Sequence, residues 1–211
     1  MPPLQRHKKY HHLTNTKSVA ILLAAAALAV GVVAIGLGIK KLYDIGKQEV
    51  EDRSERAYLY DRQIRKVAQR YGVDPELIRA LIWKETGGNF DPNTRGKAGE
   101  VGLMQVLPKA SATDWARINR REVPSALDLS DPELNIEIGT WYLARALKYW
   151  HKYDQQIELA LCEYNAGRTR AERWKPDAKN GNVVPRIDIS STKSYVTDIM
   201  KKYREYRKVK H

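Results

Sequence analysis

From Ser18 to Ile39 the chain carries no charged residue, and Ala, Val, Leu and Ile dominate the run. Its 22 positions, at about 1.5 Å rise per residue, reach about 33 Å as a helix, enough to cross a hydrocarbon core of about 30 Å. The run is therefore a transmembrane helix candidate, and everything after it has to fold around a separate core. A cleaved signal peptide is the competing reading, because small residues abound between Ala24 and Ala29. Two features favour an uncleaved signal anchor: the apolar stretch exceeds a typical signal core, and Lys40-Lys41 follow it directly. No cysteine lies near its end, which excludes a lipid-anchored form. The organisation that results is a basic arm over 1–17, the anchor over 18–39, a linker over 40–54, a folded domain over 55–206 and a basic tail over 207–211.

Beyond the linker the pattern is helical, and the fold class expected is all-α. Glu55 to Tyr71 reads as one polar helix with Ile64 and Val67 on a single face, ended by Gly72. Asp74-Pro75-Glu76 reads as an N-cap, a first helical position and an acidic first turn, after which Leu77, Ile78, Leu81 and Ile82 form a stripe suited to burial. Pro108 opens another helix. Asp131-Pro132-Glu133 repeats the start signal before a long helix with Ile136, Leu143 and Leu147 facing inward. A further helix runs into Glu163-Tyr164, and Ser191-Thr192 begins the last. No alternating strand series is present, although 182–189 has room for a short extended piece. The loop bounded by Pro176 and Pro185 is expected to flank a cleft.

The net charge of +12 raises the question of nucleic acid, and its distribution argues against it. Lys and Arg outnumber Asp and Glu by 8 to 4 in residues 1–54, by 23 to 20 in 55–200 and by 6 to 1 in 201–211, so the excess is mostly in the ends. The run from Lys201 to Lys210 suits anionic lipid headgroups, acidic wall polymers or nucleic acid, though most such runs are simply solvated. His7, His11 and His12 have no Cys, Asp or Glu among them and read as part of a solvated arm, not as a metal site. The single cysteine, Cys162, rules out an intrachain disulfide, and with no neighbouring His it reads as a small buried hydrophobe.

Glu85 ends the helix begun at Asp74, just before Gly87-Gly88-Asn89. As most helical glutamates are, it could be a solvated residue of a last turn. The alternative is chemical. A glycosidic oxygen is a poor leaving group and has to receive a proton as its bond breaks, which at neutral pH requires a carboxyl held protonated by desolvation. Leu81, Ile82 and Trp83 precede Glu85 closely, and Met104 and Tyr164 are candidates to complete an apolar wall.

The runs Trp83-Lys84-Glu85-Thr86-Gly87-Gly88-Asn89, Gly99 to Pro108 with Gly102-Leu103-Met104-Gln105 at its centre, Asn135 to Leu143, and Glu163-Tyr164-Asn165-Ala166-Gly167 resemble, in that order, the soluble lytic transglycosylase domain family. The resemblance covers about Glu55 to Tyr206. It implies a lysozyme-like helical domain, preceded here by one transmembrane helix, that cleaves the β-1,4 bond between N-acetylmuramic acid and N-acetylglucosamine and leaves a 1,6-anhydro product. Glu85 falls on the catalytic acid. Met104, Gln105, Tyr164 and Asn165 fall on cleft positions that contact sugar or hold the acid, Tyr195 on a late tyrosine near the acid, and Thr86 on the serine or threonine that usually follows it. The implied reaction calls for no cofactor and no metal. The chain departs from the family pattern in a slightly longer stretch from Glu85 to Pro92 and in Gly96, which stands where a serine is often found.

Hydrolysis would need a second carboxylate. Of the acids near the motifs, Asp91 reads as capping a turn, Glu100 as a solvated loop residue, and Glu163 as either a second acid or a partner for backbone or an arginine. The transglycosylase route needs none, because the attacking hydroxyl belongs to the substrate. Charge does not fix topology, since Arg6, Lys8, Lys9 and Lys17 precede the anchor while Lys40, Lys41, Lys47 and Arg53 follow it. The implied substrate, peptidoglycan glycan strands, puts the domain outside the cytoplasmic membrane. The expected partners are those strands, the membrane through 18–39 and cell-envelope assembly proteins, with no nucleic acid. A peptidoglycan hydrolase and a non-catalytic glycan-binding or assembly protein are the alternatives.

Overall fold

The computed structural model describes residues 16–209. It comprises two compact units, Met1–Glu51 and Asp52–His211. Helix α1, Thr16–Tyr58, is continuous over 43 residues and includes both the uncharged run and the stretch 40–54. Among the described residues no helix is long and apolar enough to cross a membrane. The side chains of 18–27, and the arm with His7, His11 and His12, lie outside those described.

The helix expected over Glu55–Tyr71 is in fact two, because α1 ends at Tyr58 and α2, Asp61–Tyr71, starts after a turn at Leu59 and Tyr60. Arg79 accounts for the break. Its Nε donates to the Ala57 carbonyl at 3.0 Å, an acceptor a continuing helix would have used, and its guanidinium pairs with Asp61 and Glu76. The same guanidinium lies 4.5 Å from the Tyr58 ring centroid. Ile64 and Val67 are buried as expected, and Gly72 closes α2 with φ 64°, a conformation that suits a residue without Cβ.

Helix α3, Pro75–Glu85, forms as its sequence dictates. The Asp74 side chain accepts from the Glu76 N–H at 2.9 Å, Pro75 takes the first helical position, and Leu77, Ile78, Leu81 and Ile82 are all buried. Burial of such side chains stabilises the fold by about 1.5–3 kcal/mol each. Pro108 opens a π-helical turn, Pro108–Ala112, that leads into α4, Thr113–Asn119. Helix α5, Pro132–Tyr149, is capped by Asp131, which accepts from the Leu134 N–H at 2.8 Å. It buries Ile136 and Leu143, with Leu147 half-buried against the core. Helices α6, Gln156–Ala166, α7, Arg168–Trp174, and α8, Ser190–Lys208, complete the domain. α3 lies along α8, α5 against α2 and α6, and α6 against α7 and α8.

The all-α expectation holds for this unit, where isolated bridges Arg95–Val101 and Val101–Val106 are the β pairing seen among the described residues. The stretch 182–189 holds a 3-10 turn, Val184–Arg186, and after it a short extended piece in which Ile187 and Ile189 both lie in the β region. The loop between Pro176 and Pro185 does not line the cleft. It binds the start of α6, where the Asp154 N–H donates to the Lys179 carbonyl at 3.0 Å and the Val183 N–H to Gln155 Oε1 at 2.8 Å. The basic run at the C-terminus is helical and partly used in packing. Lys202 lies 4.8 Å from the Trp83 ring centroid, and the Tyr203 hydroxyl donates to Asp74 at 2.7 Å. Cys162 is buried and free, its thiol pushed up to about 12 by burial.

Replacing Arg79 by Ala would leave Glu76 and the Ala57 carbonyl without the guanidinium and Asp61 with Arg65 alone. The expected cost is about 3–5 kcal/mol, read as a lower midpoint in urea denaturation of the full chain.

Candidate active site

Glu85 is the last residue of α3 because the chain cannot continue as helix past it. Gly87 and Gly88 adopt φ 62° and 83°, and the Gly88 N–H returns to the Trp83 carbonyl at 2.8 Å. Thr86 locks this exit. Its hydroxyl donates to the Ile82 carbonyl at 2.8 Å and accepts from the Phe90 N–H at 3.0 Å, so it is buried in the turn and faces no cleft.

A second wall comes from the loop before α4. The Val101 and Val106 backbones pair at 3.0 and 2.9 Å around a tight turn with Gly102 at φ 82°. One buried amide, Asn135 of α5, holds that turn from beneath. Its Oδ1 accepts from the Met104 N–H, and its Nδ2 donates to the Val101 and Leu129 carbonyls, all at 2.8 Å. A Cβ on Gly102 would stand 2.3 Å from Asn135 Nδ2, so the turn approaches this closely only with glycine there. Met104 is buried against Gly139 of α5, and its carbonyl accepts from the Tyr164 hydroxyl at 2.8 Å. Gln105 adopts φ 47° and donates through Nε2 to the Gly102 and Thr94 carbonyls at 2.8 and 3.2 Å.

Glu85, Gly96, Lys97, Glu100, Gln105, Leu107, Tyr164 and Asn165 line one cleft of about 220 Å³. Of the residues singled out from sequence, Glu85, Gln105, Tyr164 and Asn165 line it directly. Tyr195 reaches Glu85 from α8 and donates its hydroxyl to Oε1 at 2.5 Å. Asn165 is oriented by the Thr192 hydroxyl, which donates to its Oδ1 at 2.8 Å. Met104 and Thr86 are buried behind the walls, in positions to hold the acid and its neighbours in place. A larger depression, about 570 Å³, is bordered by Trp115, Arg120 and Arg121. Its Asp128 carboxyl is held below the usual range by hydrogen bonds from Ser125, so size does not locate the chemistry.

Burial, the largest influence, pushes Glu85 up to about 7 from its usual 4.5. The Tyr195 hydrogen bond opposes that rise, the Glu100 charge adds to it, and Lys84 opposes it. Lys84 is itself tied to Asp198 at 2.7 Å. The Tyr164 and Tyr195 phenols are pushed well above their usual value, first by burial and then by Glu85, and stay neutral donors. A carboxyl with this environment can carry a proton at neutral pH and deliver it.

The remaining acids sort by geometry. Glu163 is buried with both oxygens occupied: Trp150 Nε1 donates to one at 2.9 Å, and Arg168 Nε and NH2 to the other at 3.0 and 2.7 Å. Asp91 caps the turn that follows, accepting from the Asn93 N–H at 2.8 Å. Glu100, read as a solvated loop residue, is half-buried and lines the cleft with Glu85. Asn135 and Glu100 both lie in runs that carry the family resemblance, yet sequence assigned the first no individual role and read the second only as a solvated loop residue.

Comparison with known proteins bears on this geometry. The model of the transglycosylase SLT domain family matches residues 62–184. Over 80 residues, 37% of the chain, it is 45% identical to the endo-type membrane-bound lytic murein transglycosylase A of Klebsiella pneumoniae. It spans 38% of that relative's length. The membrane-bound lytic murein transglycosylase E of Buchnera aphidicola is 25% identical over 172 residues, 79% of this chain and 75% of that one. The 70-kDa soluble lytic transglycosylase of Escherichia coli superposes with a TM-score of 0.63 at 24% identity, covering 72% of this chain and 24% of that one. That likeness shows the lysozyme-like helical fold. Tyr195 lies beyond the family match, yet the fold delivers it to Glu85.

The raised carboxyl costs stability in a defined window. Below about 4.5 both folded and unfolded chains hold the proton, and nothing is lost. As pH rises to about 7 the unfolded chain ionises while the folded one does not, so stability falls by up to about 3 kcal/mol. Glu85→Gln should therefore melt higher than the parent at pH 8 and alike at pH 4, as measured by thermal unfolding at the two values.

Proposed function

We propose, from the premise that this chain belongs to the transglycosylase SLT domain family, that it is a peptidoglycan lytic transglycosylase in which Glu85 is the single acid and base. The observation that carries this reading is the Glu85 carboxyl, desolvated, bonded to Tyr195 and open to a cleft it shares with Gln105, Tyr164 and Asn165. Protonated Glu85 gives its proton to the glycosidic oxygen as the bond to the muramoyl C1 breaks. The resulting carboxylate then takes the proton of the muramoyl C6 hydroxyl as that oxygen closes onto C1, which restores the acid and yields the 1,6-anhydro ring. Tyr195 steadies the carboxylate formed midway by donating to it. Gln105, Tyr164 and Asn165 offer amide and phenol groups to the sugars, while Met104 and Thr86 hold the walls.

The chain acts at the membrane in this reading. A single-pass anchor over 18–39 would hold the domain on the outer side of the cytoplasmic membrane, where the glycan strands lie. The absence of charge from that run supports the anchor, as do relatives named membrane-bound. Cell-envelope assembly proteins are the partners such a placement offers.

Hydrolysis is the second reading, favoured by the presence of Glu100 in the cleft, since a second carboxylate can activate water. Products separate the two. The full chain in detergent should release anhydromuropeptides from isolated sacculi, and Glu85→Gln should lower release by at least about 100-fold. Muropeptides with free reducing ends would instead establish hydrolysis, and undiminished release by Glu85→Gln would remove this residue from the mechanism. Activity of the parent should fall as pH rises through about 7, where Glu85 loses its proton. For the anchor, a reporter fused at Lys47 should be active outside the cytoplasm, and activity confined to the inside would overturn the topology.

A further inference from the structure

Glu100 is placed in the cleft by two independent features. Its Oε2 accepts from the Ala98 N–H at 2.9 Å, which fixes the carboxylate over its own loop. Gly96 then makes room for it. A Cβ at residue 96 would stand 2.1 Å from Glu100 Oε2 and 2.7 Å from Gln105 Oε1, so both cleft side chains lie against a backbone that carries none. Gly96 does not have positive φ, so what glycine supplies here is space, not conformation. A serine at this position would collide with Glu100 as the loop now stands.

The groups that face Glu85 can be enumerated by element. From α8 come Tyr195 and, through Lys84, Asp198; from α6 comes Tyr164; α3 itself supplies Lys84; and the loop supplies Glu100 and Lys97. The two phenols are neutral. Lys84 has its charge met by Asp198 at 2.7 Å. Lys97 lines the same cleft, and the Glu100 charge adds to the rise at the Glu85 carboxyl.

We infer that Glu100 is a positioning residue for the acid of this cleft, its carboxylate held by the Ala98 backbone and the space at Gly96 so that its negative charge keeps Glu85 in the protonated, proton-donating form. The inference rests on the reading of Glu85 as that acid. Like charges that face one cleft oppose each other's ionisation, so a negative charge on Glu100 favours the proton on Glu85. Burial makes Glu85 an acid; Glu100 extends the pH range over which it remains one.

Charge and structure are separable at this position. Glu100→Gln keeps an oxygen for the Ala98 N–H and loses the charge, Glu100→Ala loses both, and Glu100→Asp keeps the charge on a shorter arm. With the full chain in detergent, carboxyl carbon NMR follows the titration of Glu85 directly, and anhydromuropeptide release from sacculi follows activity against pH. The expected result is that Glu100→Gln moves the Glu85 titration to lower pH. Its activity should then drop several-fold at pH 8 and stay near that of the parent at pH 5, with Glu100→Asp restoring much of the loss. Each pH unit of displacement lowers the protonated fraction above the midpoint about tenfold. An unmoved Glu85 titration in Glu100→Gln would overturn the inference, as would a pattern in which only Glu100→Ala is impaired, equally at every pH. The titration is read without turnover, so a failure of the lytic reading, seen as undiminished release by Glu85→Gln, stays distinct from a failure of this one.

Discussion

An acid can be kept protonated only between two walls, and one of the walls here has no helix of its own. The loop that carries Gln105 is held by Asn135, a single amide that meets two carbonyls and one N–H at 2.8 Å each. These are buried polar groups that would each cost about 1–3 kcal/mol if left unmade. One side chain therefore settles the register of the whole turn. Gly102 is bare because Asn135 occupies the space a Cβ would need, and Gly139 is bare because Met104 does. With Met104 thus fixed, its carbonyl takes the Tyr164 hydroxyl, and the loop is tied to α5 on one side and α6 on the other. The cleft is the gap between that assembly and the end of α3.

The domain gives up some stability at and near the cleft. Phe90 and Gln105 hold positive φ without being glycine, a condition that costs about 1–3 kcal/mol apiece. Gln105 lines the cleft and Phe90 closes the turn after Glu85, while Arg120, the third such residue among those described, ends α4. Glu85 itself is partly withdrawn from water with no cation close enough to neutralise it fully. Far from the cleft the same chain follows the opposite rule, since the buried Arg79 is paired with Asp61 and Glu76 and bonded to a carbonyl. The buried guanidinium that supports the fold is compensated, whereas the buried carboxyl at the cleft is left short.

Sequence legibility followed locality. The α3 start, its buried stripe and the glycine exit could be read because capping, burial period and chain reversal are set within a few residues. The α5 start was legible for the same reason. The break at Leu59 and Tyr60 was not, because it depends on Arg79, which lies some twenty positions later and draws off the Ala57 carbonyl. Loop 176–185 was misplaced for a similar cause: its anchor, Gln155, is remote in sequence. Glu85, Tyr164, Asn165 and Gln105 could be named as cleft residues through resemblance to a family. Which of these residues line the cleft and which stand behind its walls depended on burial, and Met104 and Thr86 emerged behind them.

The acids show most clearly why adjacency misleads. Glu163 stands beside Tyr164 within a motif, and Glu100 stands alone in a glycine-flanked loop, so sequence favours the first as a second acid. On a helix, however, consecutive side chains diverge by about 100°. If α6 turns Tyr164 towards the cleft, Glu163 cannot follow it, and the residue is instead aimed at Trp150 and Arg168, which consume both its oxygens. A loop has no such periodic constraint. Its side chains face wherever the turn and the available space direct them, and the absence of a side chain at Gly96 directs Glu100 inward. The electrostatics of the cleft are thus set by a glycine, through the room it leaves, as much as by any charged residue in a motif.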